Sequence, residues 1–178
     1  MTEKSSIISI EPIGLALQQQ VVDATTRYIL QGSDHFGRAF DQVPVRFDLK
    51  GRAAGMYQVQ NRQRFIRYNP YLFAKYYDDN LQQTVPHEVA HYLCDVVYGL
   101  RSIRPHGAEW KQLMYLFGAR IEATCRYDLA GIPSRSQRRH PYRCQCTTHL
   151  LSTRRHNNVT NRRMRYFCRS CGMVLKPT

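Results

Sequence analysis

The stretch VPHEVAHYLCDVVYG, residues 85–99, constrains this chain more than any other. Val85, Val89, Leu93 and Val96/Val97 recur at helical spacing, which predicts an amphipathic helix with one face in the core. On such a helix His87 and His91, four positions apart, share a face, and both imidazoles can reach one ion. Histidines buried and satisfied by ordinary hydrogen bonds are the alternative. However, two histidines and a glutamate on a core-facing helix need a partner that offsets their desolvation, and a metal supplies it. Glu88 points to the side of His87. It is poorly placed to be a third ligand and well placed to take the proton of a water attacking a carbonyl at the same ion. The motif therefore predicts two zinc ligands, His87 and His91, and a general base, Glu88.

A catalytic zinc needs a third protein ligand and one open position. The extended spacing with glycine three residues after the second histidine is absent, because Cys94 stands there. The next donors along the chain are His106, Glu109 and Glu122. His106 opens HGAEW, where Gly107 permits a close turn and Glu109–Trp110 begins another helix. Glu109 is the rival ligand, although a first-turn acid is also favoured by the helix dipole.

Charge divides the chain. Its net charge is +13, and residues 135–178 hold 11 of the 26 basic residues and no acidic one. Such a segment attracts a polyanion, most plausibly nucleic acid, through phosphate contacts; a solvated tail is the alternative. The same segment holds Cys144, Cys146, Cys168 and Cys171. Two close pairs in a chain without a secretion signal point to metal before disulfide. Cys168-Arg-Ser-Cys171-Gly172 has the form of a zinc knuckle, whereas Cys144-Gln-Cys146 is one residue short of it. The four cysteines are the favoured ligand set, and His149, at full knuckle spacing from Cys146, can replace Cys144 or Cys146. Arg154, Arg155, Arg162 and Arg163 lie between the halves. Alternation around Val159 and Met164–Phe167 predicts a hairpin that presents these arginines to phosphates without reading base sequence. Tyr166 and Phe167 are available to stack on unpaired bases, with Phe167 equally suited to the ribbon core. Cys94 and Cys125 stand apart from these pairs, Cys94 as a small buried hydrophobe.

The remaining chain predicts a helix over GLALQQQVVDATTRYILQG, with Leu15, Val22, Tyr28 and Leu30 on one face and Gly32 as its stop. Three short strands follow: VPVRFDL, MYQVQ and RFIRYN, the last two joined by a turn at Asn61–Gln63. Helical periodicity then runs from about Pro70 to Gly99, with Pro86 starting a new helix or kinking a longer one. A further helix covers about Ala108–Ala119, with Trp110, Leu113, Met114 and Phe117 inward. The polar stretch Pro133–Arg143 reads as a link. No apolar run is long enough to span a membrane, and the N-terminus lacks the apolar core of a signal peptide, so the expectation is a cytoplasmic protein.

VPHEVAHYLCDVVYG followed by RPHGAEWKQLM resembles the SprT-like metalloproteases, the bacterial SprT proteins most closely and the eukaryotic Spartan proteases more distantly. The C-terminal YRCQCTTHLLSTRRHNN and RYFCRSCGMVL are similar to the zinc-ribbon end of bacterial SprT. The resemblance covers about Val43 to Leu175. It implies His106 as third ligand beside His87 and His91, Glu88 as catalytic base, and DNA-bound or crosslinked proteins as substrates. The expectation is thus an α+β chain: a zincin-like metalloprotease domain (residues 1–134, a small antiparallel or mixed sheet plus helices, HExxH on the active-site helix), then a basic zinc ribbon (135–178). It would hold two Zn2+ ions, one catalytic and one structural. Its partners would be a protein substrate and nucleic acid, expected to be DNA, with no membrane. An edge strand beside the metal, RFIRYN or MYQVQ, would hold the extended substrate. The rival reading is a non-enzymatic nucleic-acid-binding protein in which both zincs are structural; a small-amide or ester hydrolase is a third.

Overall fold

In the computed structural model, residues 9–124, 126–134 and 138–178 are described. Cys125, the N-terminal residues 1–8 and residues 135–137 of the link fall outside them. The chain divides into two compact units, Met1–Ser134 and Arg135–Thr178.

The first unit opens with helix α1 (Leu15–Phe36). Gly32 does not end it. The stop is Gly37, left-handed at φ 61, whose neighbour Arg38 donates to Ser33 O at 3.1 Å, satisfying carbonyls left without helical partners. Gly32 instead marks a close helix contact: a Cβ there would lie 2.3 Å from Leu93 Cδ1. The buried face also differs from the expected one. Val21, Ala24, Thr25 and Ile29 point inward, while Leu15 is 84% exposed and Leu30 53%. The inward set falls at i, i+3, i+4 and i+8, a regular helical stripe one residue out of phase with Val22 and Leu30.

Strands β1 (Val45–Arg46), β2 (Gly55–Gln60) and β3 (Gln63–Tyr68) form one sheet in the order β1-β3-β2. The β2–β3 hairpin turns on Asn61 and Arg62, both with positive φ (50° and 65°), the geometry that matches the twist of paired strands. β1 pairs parallel to β3 and β2 antiparallel. RFIRYN is therefore the central strand, its two edges already used, and of these two strands MYQVQ is the one at an edge, with β1 at the other.

Asn69 then caps helix α2 (Pro70–Lys75): its Oδ1 accepts from the N–H groups of Tyr71 and Leu72, and its Nδ2 donates to Gly51 O and Ala53 O. One buried amide thus fixes both the helix start and the loop entering β2. A single turn, α3 (Tyr77–Asp79), passes through a π-helical turn (Asn80–Thr84) into α4 (Val85–Tyr98). Pro86 lies in the first turn of α4. There it cannot donate to the residue four back, and the wider π turn just before it accommodates that loss. α4 packs against α1, β2 and α5 (Ala108–Leu116). Trp110, Leu113, Met114 and Phe117 are buried as expected.

The second unit is a sheet of β4 (Arg139–Arg143), β5 (Thr148–Ser152) and β6 (Lys176–Pro177) in the order β5-β4-β6. The stretch read as a link is thus partly strand β4. Tyr142, Cys144, Leu151, Cys168 and Leu175 form its core. The predicted hairpin is absent. Thr153–Thr160 is a helix, α6, terminated by Arg162 at φ 54. Only one apolar residue, Val159, lies in this segment, too few to line a strand face, and it packs on the small core from the helix. Phe167 is 58% exposed and is not core. Among the described residues no helix is long and apolar enough to cross a membrane.

Candidate metal centres

Helix α4 brings His87 and His91 to one face, and His106 meets them from the loop before α5. The three Nε2 atoms form a triangle with sides of 3.2, 3.1 and 3.2 Å. Hydrogen bonding alone does not account for this triangle. A neutral imidazole nitrogen either donates or accepts, so at least one side would set two lone pairs, or two protons, against each other. A single cation on which three lone pairs converge removes the conflict, and the donor set suits zinc. Burial, helped by the neighbouring imidazoles, pushes His87 down to about 3, and burial with His106 pushes His91 to about 4. Burial lowers His106 as well, so burial favours the neutral form in all three rings, the form that binds metal.

The loop geometry explains HGAEW. His106 adopts φ 58, and Gly107 N–H closes a turn on Arg104 O at 2.9 Å. A Cβ on Gly107 would lie 2.9 Å from that same oxygen. Trp110 backs the cluster: its Nε1–H donates to His87 O at 3.3 Å, and its ring centre lies 4.8 Å from that of His87 and 4.7 Å from that of His106. Glu109 sits in the first turn of α5, and among the described residues the convergent donor set here is His87, His91 and His106 without it. Glu122 is exposed.

Glu88 is buried at 6% exposure. Its Oε2 accepts the backbone N–H of Tyr57 on β2 at 2.6 Å. Burial raises its pKa to about 8 against the pull of that N–H. Gly55 opposes the same side chain so closely that a Cβ would fall 2.6 Å from Glu88 Cγ. Tyr57 is itself held: its hydroxyl donates to Asp95 at 2.6 Å, and Arg64 donates to the same oxygen at 2.7 Å. Sequence reasoning missed Gly55, Tyr57 and Asp95 as supports of Glu88. Asp95 carried a signal, since it lies one helical turn beyond His91; the other two stand on a strand whose neighbour only the tertiary fold supplies. Tyr92 is 2% exposed and donates its hydroxyl to Asp41 O. Cys94 is buried with its thiol pushed up to about 12 by burial.

A cleft of about 340 Å³ opens over the three histidines and Glu88, walled by β2 and the loop of Leu100–His106. A second, of about 360 Å³, lies on the other side of His87 and Glu88.

In the second unit Cys144, Cys146, Cys168 and Cys171 converge. Cys144 Sγ lies 3.3 Å from Cys146 Sγ, and Cys146 Sγ 3.6 Å from Cys168 Sγ. His149 Nε2 is 3.3 Å from Cys144 Sγ. Sulfur and imidazole donors at this separation suit a structural zinc. Arg154, Arg155, Arg162 and Arg163 are all exposed, and the Arg155 guanidinium lies over the Tyr166 ring at 5.4 Å.

Residues 25–128, which include all three histidines and Glu88, match the model of the SprT-like family. Protein SprT of Pasteurella multocida (strain Pm70) is 35% identical over 160 residues, 89% of this chain and 93% of that protein. Protein SprT of Vibrio parahaemolyticus serotype O3:K6 is 38% identical over 144 residues, 80% of this chain and 83% of that protein. Protein SprT of Yersinia pestis is 32% identical over 165 residues, 92% and 93% of the two chains. The chain belongs to the SprT-like family.

Proposed function

We propose that this protein is a zincin-like, zinc-dependent endopeptidase that hydrolyses peptide bonds of protein substrates associated with DNA. The observation that carries the reading is a buried carboxylate, Glu88, fixed beside a triangle of neutral imidazoles and facing a cleft bordered by an edge strand. A site built only to hold a metal gains nothing from burying that carboxylate, which weighs against the non-enzymatic alternative.

His87, His91 and His106 hold the ion. When bound, zinc supplies Lewis acidity toward the scissile carbonyl and the attacking water. Glu88 does the proton work. Its Oε2 is engaged by Tyr57 N–H, so Oε1 takes the proton from the attacking water and delivers it to the leaving amine. The substrate is held by β2. In an antiparallel pair alternate residues direct their backbone groups to the outer edge, and because Tyr57 N–H turns outward to Glu88, Gly55 and Val59 share its direction. An extended peptide adds to that edge and lays its scissile bond across the histidines.

The basic second unit supports nucleic acid as partner. Arg154 and Arg155 project from α6, and Arg162 and Arg163 from the turn that ends it. Such contacts are to phosphates and carry no base information. The test is cleavage of an unfolded protein, free and bound to DNA, with and without a zinc chelator. Chelator-sensitive cleavage that rises with DNA supports the whole proposal. Cleavage indifferent to DNA removes the nucleic-acid half, and no cleavage in any arm removes the protease.

A further inference from the structure

The two halves of the C-terminal centre are not equivalent. In the second half, the Cys168–Cys171 loop is a complete knuckle. Gly172 turns at φ 68, Gly172 N–H closes on Cys168 O at 2.9 Å, and Cys168 N–H donates to Met173 O at 2.8 Å. The first half is a tighter turn without a second cysteine at its end. β4 and β5 are in register at Arg143↔Thr148, so the loop is Cys144–Thr147. Thr147 N–H donates to Cys144 Sγ at 3.3 Å, and Cys144 N–H donates to Thr147 O at 3.1 Å. Thr147 follows Cys144 by three residues, as Cys171 follows Cys168, and it has no thiolate to give.

Two donors flank that position. Cys146, one residue earlier, is exposed and reaches Cys144 and Cys168 from the rim. His149, two residues later, projects from β5 with Nε2 at 3.3 Å from Cys144 Sγ. A structural zinc takes four ligands in a tetrahedron. The four convergent thiols and the imidazole beside Cys144 are five donors for those four positions, and Cys146 is the exposed thiol among them.

We propose that the C-terminal centre is a five-donor site in which Cys146 and His149 exchange at the fourth position of a zinc ion held by Cys144, Cys168 and Cys171. With His149 bound, Cys146 is a free, exposed thiol beside a retained metal. With Cys146 bound, His149 donates a hydrogen bond to the Cys144 thiolate. Zinc, which has no geometric preference of its own from d-electrons, accepts either set. The inference is independent of what the histidine centre does.

Cobalt(II) loaded into the full-length chain tests it, because thiolate-to-cobalt charge transfer reports the C-terminal centre alone; His87, His91 and His106 contribute no sulfur. Cys146→Ser and His149→Ala should each keep one equivalent of thiolate-bound cobalt, the first with a charge-transfer band weaker than in the second. Cys146→Ser/His149→Ala should lose it, matching a Cys168→Ala control that defines the empty site. N-ethylmaleimide, which adds to a free thiol, should modify Cys146 in the wild type with zinc retained, and should expel zinc from His149→Ala. Loss of the ion from Cys146→Ser alone would make the site a fixed four-cysteine centre. Loss from His149→Ala alone would make His149 obligatory. Retention by the double variant would mean that neither residue is a ligand. Each of these three results overturns the proposal.

Discussion

Replacing Gly55 by alanine places a methyl carbon 2.6 Å from Glu88 Cγ, 2.7 Å from Thr84 Cγ2 and 2.8 Å from Glu88 Oε1. Carbon atoms pack at about 3.5–4.0 Å, so the intrusion is on the order of 1 Å. None of these neighbours is the loose end of an exposed side chain. Glu88 is buried and tied to Tyr57 N–H, and Thr84 is buried with its hydroxyl bonded to Asn80. Either β2 moves outward or Glu88 turns away, and both stretch the 2.6 Å bond between them. Overpacking of this kind costs about 1–3 kcal/mol of stability, which lowers the melting temperature by several degrees. The larger effect falls on chemistry: a displacement of about 1 Å in a catalytic group costs roughly 100-fold in rate. Gly55→Ala should therefore retain zinc at His87, His91 and His106, melt slightly lower, and cleave an unfolded protein substrate roughly 100-fold more slowly. Zinc content, thermal melts and initial cleavage rates are measured on one preparation. A variant that cleaves at the wild-type rate would show that β2 does not position Glu88.

Removing His106 by mutation to alanine should cost one equivalent of zinc, whereas Glu109→Ala should retain it; zinc analysis giving the reverse would make Glu109 the third ligand. In the zinc-stripped protein burial pushes the folded-state pKa of Glu88 up to about 8, above its ordinary value of 4.5. The folded state then binds the extra proton, so this group's stabilising contribution is present below about pH 4.5 and is lost as pH rises toward 8. The melting temperature of the zinc-free wild type, measured relative to zinc-free Glu88→Gln so that the histidines cancel, should fall between pH 5 and pH 9; a flat difference would refute the burial argument. A fragment ending at Ser134 should keep its zinc yet bind DNA far more weakly than the full chain, whose affinity should fall steeply with salt. Equal DNA binding by fragment and full chain in a filter or anisotropy titration would assign the nucleic-acid surface to the first unit.

Much of the histidine centre was legible in the sequence because its parts are local. The i, i+4 spacing puts two ligands on one helical face wherever that helix is placed, and the turn at Gly107 is written in HGAEW. Gly55 and Tyr57 were not legible, since their role exists only where β2 passes α4, a contact between segments about 30 residues apart. The face of α1 was misjudged for a related reason. Its close contact with α4 at Gly32 against Leu93 turns the Val21, Ala24, Thr25 and Ile29 face inward and leaves Leu15 and Leu30 outside. In the basic unit, short apolar spacings around Val159 and Met164 look the same for a strand and for a short helix. Which one forms is decided by how little core there is to cover. The two halves of the cysteine centre are visible in the sequence, but the 3.3 Å approach of His149 to Cys144 exists only once β5 pairs with β4.

The central claim is that Glu88 moves the proton in peptide hydrolysis at a zinc held by His87, His91 and His106. Glu88→Gln preserves shape and can still accept the Tyr57 N–H through its amide oxygen, but it cannot take a proton. The measurement is the cleavage rate of an unfolded protein by zinc-loaded Glu88→Gln and wild type, with zinc content determined on both samples. The account predicts equal zinc and a rate lower by roughly 100-fold or more. Equal zinc with a comparable rate would contradict it.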